Sequence, residues 1–310
     1  MIQEIAVILT CFNRREKTTR CLKHLFMAKD NYNKGINKIS LAIYLTDDGC
    51  TDGTANAVRR ICKNEELHII KGNGNCYWAG GMRLAWLEAL KDKTRWEFYL
   101  LLNDDTIVKN NVFDELFYTH DFSISTYGLP GIYSGITCEE FNNANITYGG
   151  NIFASKIKGS SIRLKPSKKP QMVDETNANI LFVSSKVVET IGIFHDKYVH
   201  SCADYDYCME TKKNGFPTLL TANICGYCEY DHSSEGEEIR KLMGMTFAQR
   251  KKYMSSPIHS DMDYLLYVKR NIPCKYLISW TLRKIRLYLP ALYYIICKVR
   301  GLDSYKIIKS

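Results

Sequence analysis

The segment that decides the fold is FYLLLNDDT, residues 98–106, in which five apolar residues run directly into an asparagine and two aspartates. A short, wholly apolar run of this kind is typical of a strand that is covered on both faces. Three earlier runs have the same character and lie at residues 5–9, 41–45 and 68–70. Helical patterns follow at 55–63 and 79–90. Strands that alternate with helices predict an α/β fold with a doubly wound, mainly parallel sheet.

The organisation changes after residue 111. Residues 112–230 are less regular, with a hairpin-like turn around Gly149-Gly150, a basic loop at 156–169 and an apolar strand at 180–183. We therefore predict one domain over residues 1–238, built from the halves 1–111 and 112–238. A basic helical region over residues 239–310 is expected to follow it.

The charge of the chain is unevenly distributed. Residues 239–310 contain 15 Lys and Arg against 3 Asp and Glu, a net charge of +12, so with +9 for the whole chain the remainder carries −3. The longest uncharged run in this tail, residues 287–297, is too short to cross a membrane and contains a proline. The sequence favours a basic amphipathic stretch at 269–310 on an anionic membrane surface, and leaves open surface helices packed on the catalytic domain.

Nucleic acid is a poor partner for this chain. The tail is basic and aromatic, but the strand ends of the first half are acidic and would repel a phosphate backbone, and no recognised nucleic-acid motif is present. The twelve cysteines are scattered singly, without paired metal spacing, and the first strand begins without an apolar leader. Both features predict a cytoplasmic location, with the tail on the inner face of the cytoplasmic membrane.

The polar residues that end the strands carry the predicted chemistry, because ligands of open α/β sheets bind at the carboxyl ends of the strands. Adjacent carboxylates at Asp104 and Asp105 repel each other unless a cation neutralises them, and a divalent ion that bridges a diphosphate would do so. The alternative is a turn or a helix N-cap, which Asn and Asp also favour.

Two further segments point to a nucleotide. Asp47 ends another strand, where its carboxylate can accept hydrogen bonds from a base or a ribose; Asp52 is equally well explained as a helix cap. The glycine-rich residues 72–81 precede a helix, so their amides can face phosphate or sugar oxygens. Trp78 within them can instead pack in the core, and Arg83 is either a surface charge or a phosphate contact.

A general base is predicted from residues 204–206, Asp-Tyr-Asp, at the start of a helix that ends near Asn214. A carboxylate there can take the proton of an acceptor hydroxyl. The alternative is that one aspartate caps the helix and the other is solvated. His232 lies in a later loop and is a candidate metal ligand, although a single loop histidine has little predictive value.

Taken together, these clusters resemble the family 2 glycosyltransferases of the GT-A fold, particularly the bacterial rhamnosyl and galactofuranosyl transferase branch. The resemblance extends from about residue 5 to residue 232. It rests on five segments: TCFN at 10–13, DDGCTDGT at 47–54, the loop at 75–81, LLNDDT at 101–106, and ADYDYC at 203–208 with Gly215.

The resemblance implies a GT-A catalytic domain whose first half binds the nucleotide sugar and whose second half receives the acceptor. Asp47 would contact the nucleobase, Asp104 would lie near the ribose, and Asn103 and Asp105 would form the ends of an Asp-x-Asp-type motif. Asp105 would be the principal ligand of Mn²⁺ or Mg²⁺, joined by His232, and Asp204 would be the base. Further donor contacts would come from Thr10, Phe12, Asn13, Asn75, Trp78, Gly80 and Gly81.

Two positions depart from the family pattern. Asn103 replaces the more frequent first aspartate, and Ala203 stands where many members have glutamate. The implied activity is inverting transfer of a sugar from a UDP or dTDP sugar to a hydroxyl of a glycan or lipid-linked glycan, in surface polysaccharide synthesis. Alternatives are a degenerate transferase that binds nucleotide or glycan as a regulator, and a sugar nucleotidyltransferase, for which Arg14-Arg15 is the only candidate phosphate loop.

Overall fold

The computed structural model describes residues 2–155, 160–230 and 235–299, and the chain divides into two compact units, residues 1–230 and 231–310. The sequence-based boundary lies eight residues later, at 238. The first half of the first unit contains, in order, β1 (Ile2–Cys11), α1 (Arg15–Tyr32), β2 (Lys38–Asp47), α2 (Thr54–Ile61), β3 (Glu66–Lys71), α3 (Tyr77–Lys91), β4 (Phe98–Leu102) and β5 (Ile107–Val108). The second half contains α4 (Val112–Tyr127), β6 (Ile132–Glu139), β7 (Asn142–Tyr148), β8 (Gly150–Ser155), β9 (Ser160–Arg163), β10 (Gln171–Met172), β11 (Glu175–Thr176), β12 (Ile180–Ser184), α5 (Ser185–Ile191), α6 (Ala203–Lys213) and β13 (Thr218–Tyr227).

The main sheet has the strand order β10-β13-β6-β12-β4-β1-β2-β3, with β5 beside β13 and β7 beside β6. The four strands from the first half, β3, β2, β1 and β4, are all parallel, as the alternation of strands and helices predicts. Strand β12 then joins β4 in the antiparallel direction and carries the sheet into the second half. A separate three-stranded sheet has the order β11-β8-β9. The predicted α/β class and the parallel sheet are therefore confirmed.

The centre of the sheet is covered on both faces, which explains its continuous apolar strands. Alternate residues of β1, such as Ile5 and Val7, belong to a core that α1 and α4 complete through Leu22, Leu25 and Phe113. Successive strand residues point to opposite faces, and Thr10 on the other face meets α3 at Gly81. The apolar run at residues 5–9 is fully buried, as the sequence predicts.

The second unit is helical in its described part. Its helices are α7 (Glu235–Met243), α8 (Phe247–Tyr253), α9 (Met262–Asn271), α10 (Tyr276–Tyr288) and α11 (Pro290–Val299), with a 3-10 turn at Pro273–Lys275. Helix α8 begins with a capping box, in which the Thr246 hydroxyl accepts from the Gln249 amide and the Gln249 side chain accepts from the Thr246 amide. Arg286 on α10 is mostly buried and donates to both carboxylate oxygens of Asp261, at 2.9 and 2.7 Å. Within the described residues, no helix has the length and apolar character needed to cross a membrane.

Candidate active site

The predicted donor residues meet at one edge of the sheet. Strands β1, β2 and β4 are parallel neighbours, with Cys11 opposite Asp47 and Ile8 opposite Leu101, so their carboxyl ends lie side by side. This register brings together three groups of predicted residues: Thr10, Phe12 and Asn13 after β1, Asp47 at the end of β2, and Asn103, Asp104 and Asp105 after β4.

The two aspartates after β4 share one guanidinium. Arg14, immediately before α1, donates from Nη1 to Asp104 Oδ1 and from Nη2 to Asp105 Oδ2, both at 2.9 Å. The other oxygen of Asp104 accepts from the Thr18 hydroxyl at 3.1 Å. Burial raises the pKa of Asp104 to about 6, against the lowering effect of Arg14, while the two carboxylates raise the pKa of Arg14. The sequence had suggested Arg14 only as part of a phosphate loop, and its ion pairs were not predicted.

Of the two carboxylates after β4, that of Asp105 is better placed than that of Asp104 to bind a divalent cation. Carboxylate oxygens are the ligands that Mn²⁺ and Mg²⁺ prefer. The Asp105 side chain is 17% exposed and that of Asp104 is 5% exposed, so a hydrated ion reaches Asp105 more easily. Both oxygens of Asp104 are already bonded to α1 and its N-terminal flank. A cation that binds Oδ2 of Asp105 must displace one arm of Arg14.

Asn103 and Asp105 are held by side chains from distant segments. The Trp78 indole donates to Asn103 Oδ1 at 2.8 Å, so this tryptophan orients the motif rather than serving only as core packing. The Cys228 thiol, just after β13, lies 3.8 Å from Asp105 Oδ1, and the Asn179 side chain donates to the same sulfur at 3.3 Å. His232, the other predicted metal ligand, lies outside the described residues.

Asp204 is a buried carboxylate at the start of α6. One oxygen accepts from the Ala178 amide at 3.1 Å and the other from the Tyr205 amide at 2.9 Å. Burial raises the pKa of Asp204 to about 6, and the two amide hydrogen bonds oppose that rise. Cys202 occupies the N-cap, and Asp206 is also buried, so the alternative of one cap and one solvated aspartate does not hold.

Two consecutive residues connect this carboxylate to the motif after β4. The amide of Ala178 donates to Asp204, and the carbonyl of Asn179 accepts from the amide of Asn103 at 3.2 Å. Asp204 and Asn103 thus flank the same short segment before β12. The candidate base and the candidate diphosphate site therefore adjoin, although Asn103 and Asp204 are 101 positions apart in the sequence.

The glycine-rich loop is organised by Asp48, which the sequence places beside Asp47 at the end of the strand but does not connect with this loop. Its buried carboxylate accepts from the amides of Gly74, Cys76 and Tyr77 at 2.8, 2.9 and 3.2 Å. A side chain at Gly72 would collide with Asp48, so glycine is required there. This loop leads into α3 and carries Asn75 on an exposed part of the chain.

Gly80 and Gly81 have packing roles in the structure. A Cβ at Gly81 would collide with Thr10, and the Thr46 hydroxyl donates to the carbonyl of Gly81 at 2.7 Å. The amide of Gly80 donates to the carbonyl of Val199 at 3.2 Å. Gly81 therefore lets α3 approach β1 closely, whereas a Cβ at Gly80 would meet no atom nearer than 3.8 Å. The predicted donor contacts of both glycines stay predictions. Arg83 holds the carbonyls of His195 and Tyr198, and is therefore not simply a surface charge.

The loop after β2 is held to the end of β1 by side chains. Asp52 accepts from the amide of Thr54, the first residue of α2, and from the amide of Arg15, but the N-cap position of α2 is Gly53 and not Asp52. The side-chain oxygen of Asn13 accepts from the amide of Thr51 at 2.7 Å. Phe12, between these contacts, is 54% exposed and presents an aromatic face at the edge of the site.

A parallel sheet edge of this kind, with paired carboxylates after one strand and a buried carboxylate beside them, is the arrangement expected of a nucleotide-sugar transferase of the GT-A class. The model of the family described as "Glycosyl transferase family 2" matches residues 6–182, more than half of the chain. The chain therefore belongs to glycosyl transferase family 2, as the sequence motifs suggested.

The chain is also similar to a curated relative in sequence and to two solved proteins in fold. The low-salt glycan biosynthesis hexosyltransferase Agl10 of Haloferax volcanii is 23% identical over 169 residues, which are 52% of this chain and 52% of the relative, so the match spans about half the length of that protein. S. aureus TarS (residues 1–349) is 12% identical with a TM-score of 0.51, covering 97% of this chain and 83% of that one. The mannosyltransferase PcManGT of Pyrobaculum calidifontis, solved with GDP-Man and Mn²⁺, is 14% identical with a TM-score of 0.51, covering 96% and 86%. At these identities the two structures support the GT-A fold.

Proposed function

We propose that this glycosyltransferase moves a sugar from a UDP or dTDP sugar to a hydroxyl of a glycan or lipid-linked glycan with inversion at the anomeric carbon, in surface polysaccharide synthesis. Residues 1–111 bind the donor, and residues 112–238 contribute the base and receive the acceptor. The observation that carries the proposal is Asp204, a buried carboxylate whose pKa is raised to about 6 beside the motif after β4.

Asp204 acts as the general base. With a pKa of about 6 it is ionised at neutral pH and still basic enough to accept a proton from a hydroxyl. The acceptor oxygen attacks the anomeric carbon, its proton passes to Asp204, and the bond to the diphosphate oxygen breaks. A single displacement of this kind inverts the anomeric centre.

The donor is held at the ends of β1, β2 and β4. Phe12 is exposed, and its ring can stack on the nucleobase of the donor. The carboxylate of Asp47 can accept a hydrogen bond from the same nucleobase. Arg14 lies where a diphosphate would arrive and can move from the carboxylates to phosphate oxygens, for which its planar fork is suited. A divalent cation at Asp105 supplies positive charge to the leaving diphosphate when it is bound.

The deciding experiment measures nucleoside diphosphate release from UDP, dTDP and GDP sugars with Mn²⁺, with Mg²⁺ and with neither. Wild type is compared with Asp204→Asn, Asp105→Ala and, as a control away from the site, Asp196→Asn. We expect slow metal-dependent hydrolysis of one donor that the first two variants lose and the control keeps. The anomer formed with a trapped acceptor is then read by NMR, and retention of configuration would contradict the single displacement.

The same variants distinguish an active transferase from a regulatory protein that only binds nucleotide. An enzyme loses turnover at Asp204→Asn while keeping its nucleotide affinity. If isothermal titration shows tight nucleotide binding, and no donor turns over with any acceptor fraction, the chain is a binder and the proposed activity is wrong.

We also propose that the second unit attaches to an anionic membrane surface through residues 269–310. Helices α10 and α11 leave large apolar side chains exposed at helical spacing, including Leu277, Trp280, Tyr288, Leu292, Ile295 and Val299. Lys284 lies 5.3 Å from the centre of the Trp280 ring, so a positive charge accompanies the apolar face. Apolar faces bordered by lysine and aromatic rings favour the headgroup region of a bilayer.

Sedimentation with vesicles tests the attachment. The full chain should pellet with phosphatidylcholine vesicles that contain phosphatidylglycerol, and Leu277→Asp with Ile295→Asp should abolish this. Ile36→Asp is the matched control, because Ile36 is 99% exposed but lies in the first unit. A full chain that ignores anionic vesicles would disprove the attachment.

A further inference from the structure

Two thiols and a carboxylate meet at the ends of β1 and β2, apart from the carboxylates after β4. Cys11 ends β1, Asp47 ends β2, and Cys50 follows in the next turn. One ligand atom from each of the three residues lies within 4.8 Å of the others. The two sulfur atoms are 3.7 Å apart, and none of the described cysteines forms a disulfide.

The spacing of the sulfurs matches a tetrahedral metal site. A zinc–sulfur bond of about 2.3 Å and tetrahedral angles place two thiolate ligands about 3.8 Å apart. The pair therefore needs almost no movement to bind one ion. Asp47 accepts the amide of Cys50 through Oδ1 at 2.7 Å. A small rotation of this carboxylate completes a third ligand.

The surroundings of the sulfurs favour a cation. The amide of Asn13 donates to the Cys50 sulfur at 3.1 Å, the kind of outer hydrogen bond that stabilises a metal-bound thiolate. The carboxylates of Asp104 and Asp47 also interact electrostatically with Cys11, and their negative charge attracts a divalent ion.

The site is open on one side. Cys11 is buried, whereas Cys50 and Asp47 are partly exposed, so an ion can enter from solvent and keep a water as its fourth ligand. Mixed sulfur and carboxylate ligands select a soft or borderline ion such as Zn²⁺ over Mn²⁺ or Mg²⁺. The edge of the sheet thus presents a site with two thiols next to the carboxylate site at Asp105.

We propose that Cys11, Asp47 and Cys50 form a zinc site that, when occupied, withdraws Asp47 from the donor nucleobase and so inhibits donor binding. Zinc binding releases the two thiol protons to solvent and involves no oxidation. The inhibitory part rests on the proposed function, because it assumes that Asp47 contacts the base; the zinc site itself does not.

The test uses the reduced full chain and Co²⁺ as a spectroscopic substitute for zinc. Thiolate ligation gives a sulfur-to-cobalt charge-transfer band in the near ultraviolet, which Zn²⁺ should bleach. We expect the band in wild type, its loss in Cys50→Ser and Cys11→Ser, and its retention in Cys76→Ser, the matched control on the nearby glycine loop. Zinc affinity should fall at least about tenfold in Cys50→Ser, since one of three protein ligands is lost.

A second cluster, Glu66, His68 and Asp92, can also bind an ion, but it contains no sulfur and cannot give the band. Absence of the band, or its persistence in Cys50→Ser, overturns the zinc site. UDP binding is then measured with and without Zn²⁺ in wild type and Cys50→Ser. Weaker UDP binding in zinc for wild type alone supports inhibition, and equal weakening in both variants overturns it. dTDP is measured in the same way, and if neither nucleotide binds even without zinc, the proposed donor fails while the zinc site stands.

Discussion

At the scale of single residues, Asp204 determines how activity should depend on pH. A base must be deprotonated, so kcat/KM should rise with pH through about 6 and level off above it. Asp204→Asn should lower kcat by about 10²–10⁴-fold, the usual contribution of a positioned base, with little change in nucleotide affinity. A pH–rate profile from pH 5 to 8.5 and a nucleotide titration measure both effects.

The pH dependence of folding stability provides an independent measure of the pKa of Asp204. Because burial raises the pKa of Asp204, ionisation destabilises the folded state as pH rises from the unfolded value near 4 through about 6. The melting temperature of Asp204→Asn relative to wild type should therefore increase between pH 4.5 and 7.5. A difference that is constant with pH would mean that Asp204 is ionised across this range and is not tuned by burial.

Arg14 should compete with the divalent cation for Asp105. It donates a charge-assisted hydrogen bond to Oδ2, and such bonds contribute about 1.5 kcal/mol or more. Arg14→Gln should therefore strengthen Mn²⁺ binding to the nucleotide-free protein by about tenfold, since 1.4 kcal/mol is a factor of ten. Electron paramagnetic resonance of free Mn²⁺ measures this, with Arg20→Gln, which removes a more exposed arginine paired with Glu140, as control. Unchanged Mn²⁺ affinity would show that Arg14 does not compete with the cation for Asp105.

At the scale of elements, Asp48 connects β2 to the glycine-rich loop and the start of α3. Asp48→Ala leaves three amides without their buried acceptor, and each unsatisfied group costs about 1–3 kcal/mol. We expect loss of several kcal/mol of unfolding free energy in urea. Asp52→Ala, which removes a half-buried acceptor of the first amide of α2, should cost only about 1 kcal/mol. Similar losses in the two variants would contradict the bridging role of Asp48.

Local pattern predicts the elements of the first half better than their contacts. The runs at 5–9, 41–45, 68–70 and 98–102 all fall within strands. For β1, β2 and β4 the reason is burial on both faces, which leaves a direct signature in sequence, whereas residues 68–70 of the edge strand β3 are only partly buried. The ion pairs of Arg14 were missed because 91 positions separate it from Asp105, and only the strand order brings the two together. The sulfur pair was missed for the same reason, since Cys11 and Cys50 belong to no local metal spacing. Residues 112–230 were harder still, because short antiparallel strands have weak periodicity.

At the scale of the whole molecule, charge and apolar surface are concentrated in one region. Residues 239–310 carry +12 and the remainder −3, and α10 and α11 also bear exposed side chains such as Leu277 and Val299, at 69% and 84% exposure. A basic region attracts anionic lipid over about a Debye length, whereas apolar insertion acts only on contact. The electrostatic and apolar contributions to membrane binding can therefore be distinguished by varying the salt concentration.

Binding of the full chain to anionic vesicles should weaken steeply between about 0.1 M and 1 M salt, because the screening length falls from about 10 Å to about 3 Å. Neutral vesicles remove the electrostatic contribution, so any binding to them should be weaker and nearly independent of salt. Lys284→Gln with Lys275→Gln should reduce the salt dependence on anionic vesicles without affecting the neutral ones, and co-sedimentation measures all three. If wild type binds neutral and anionic vesicles equally at low salt, the apolar faces alone provide the attachment and the positive charge of residues 239–310 serves another partner.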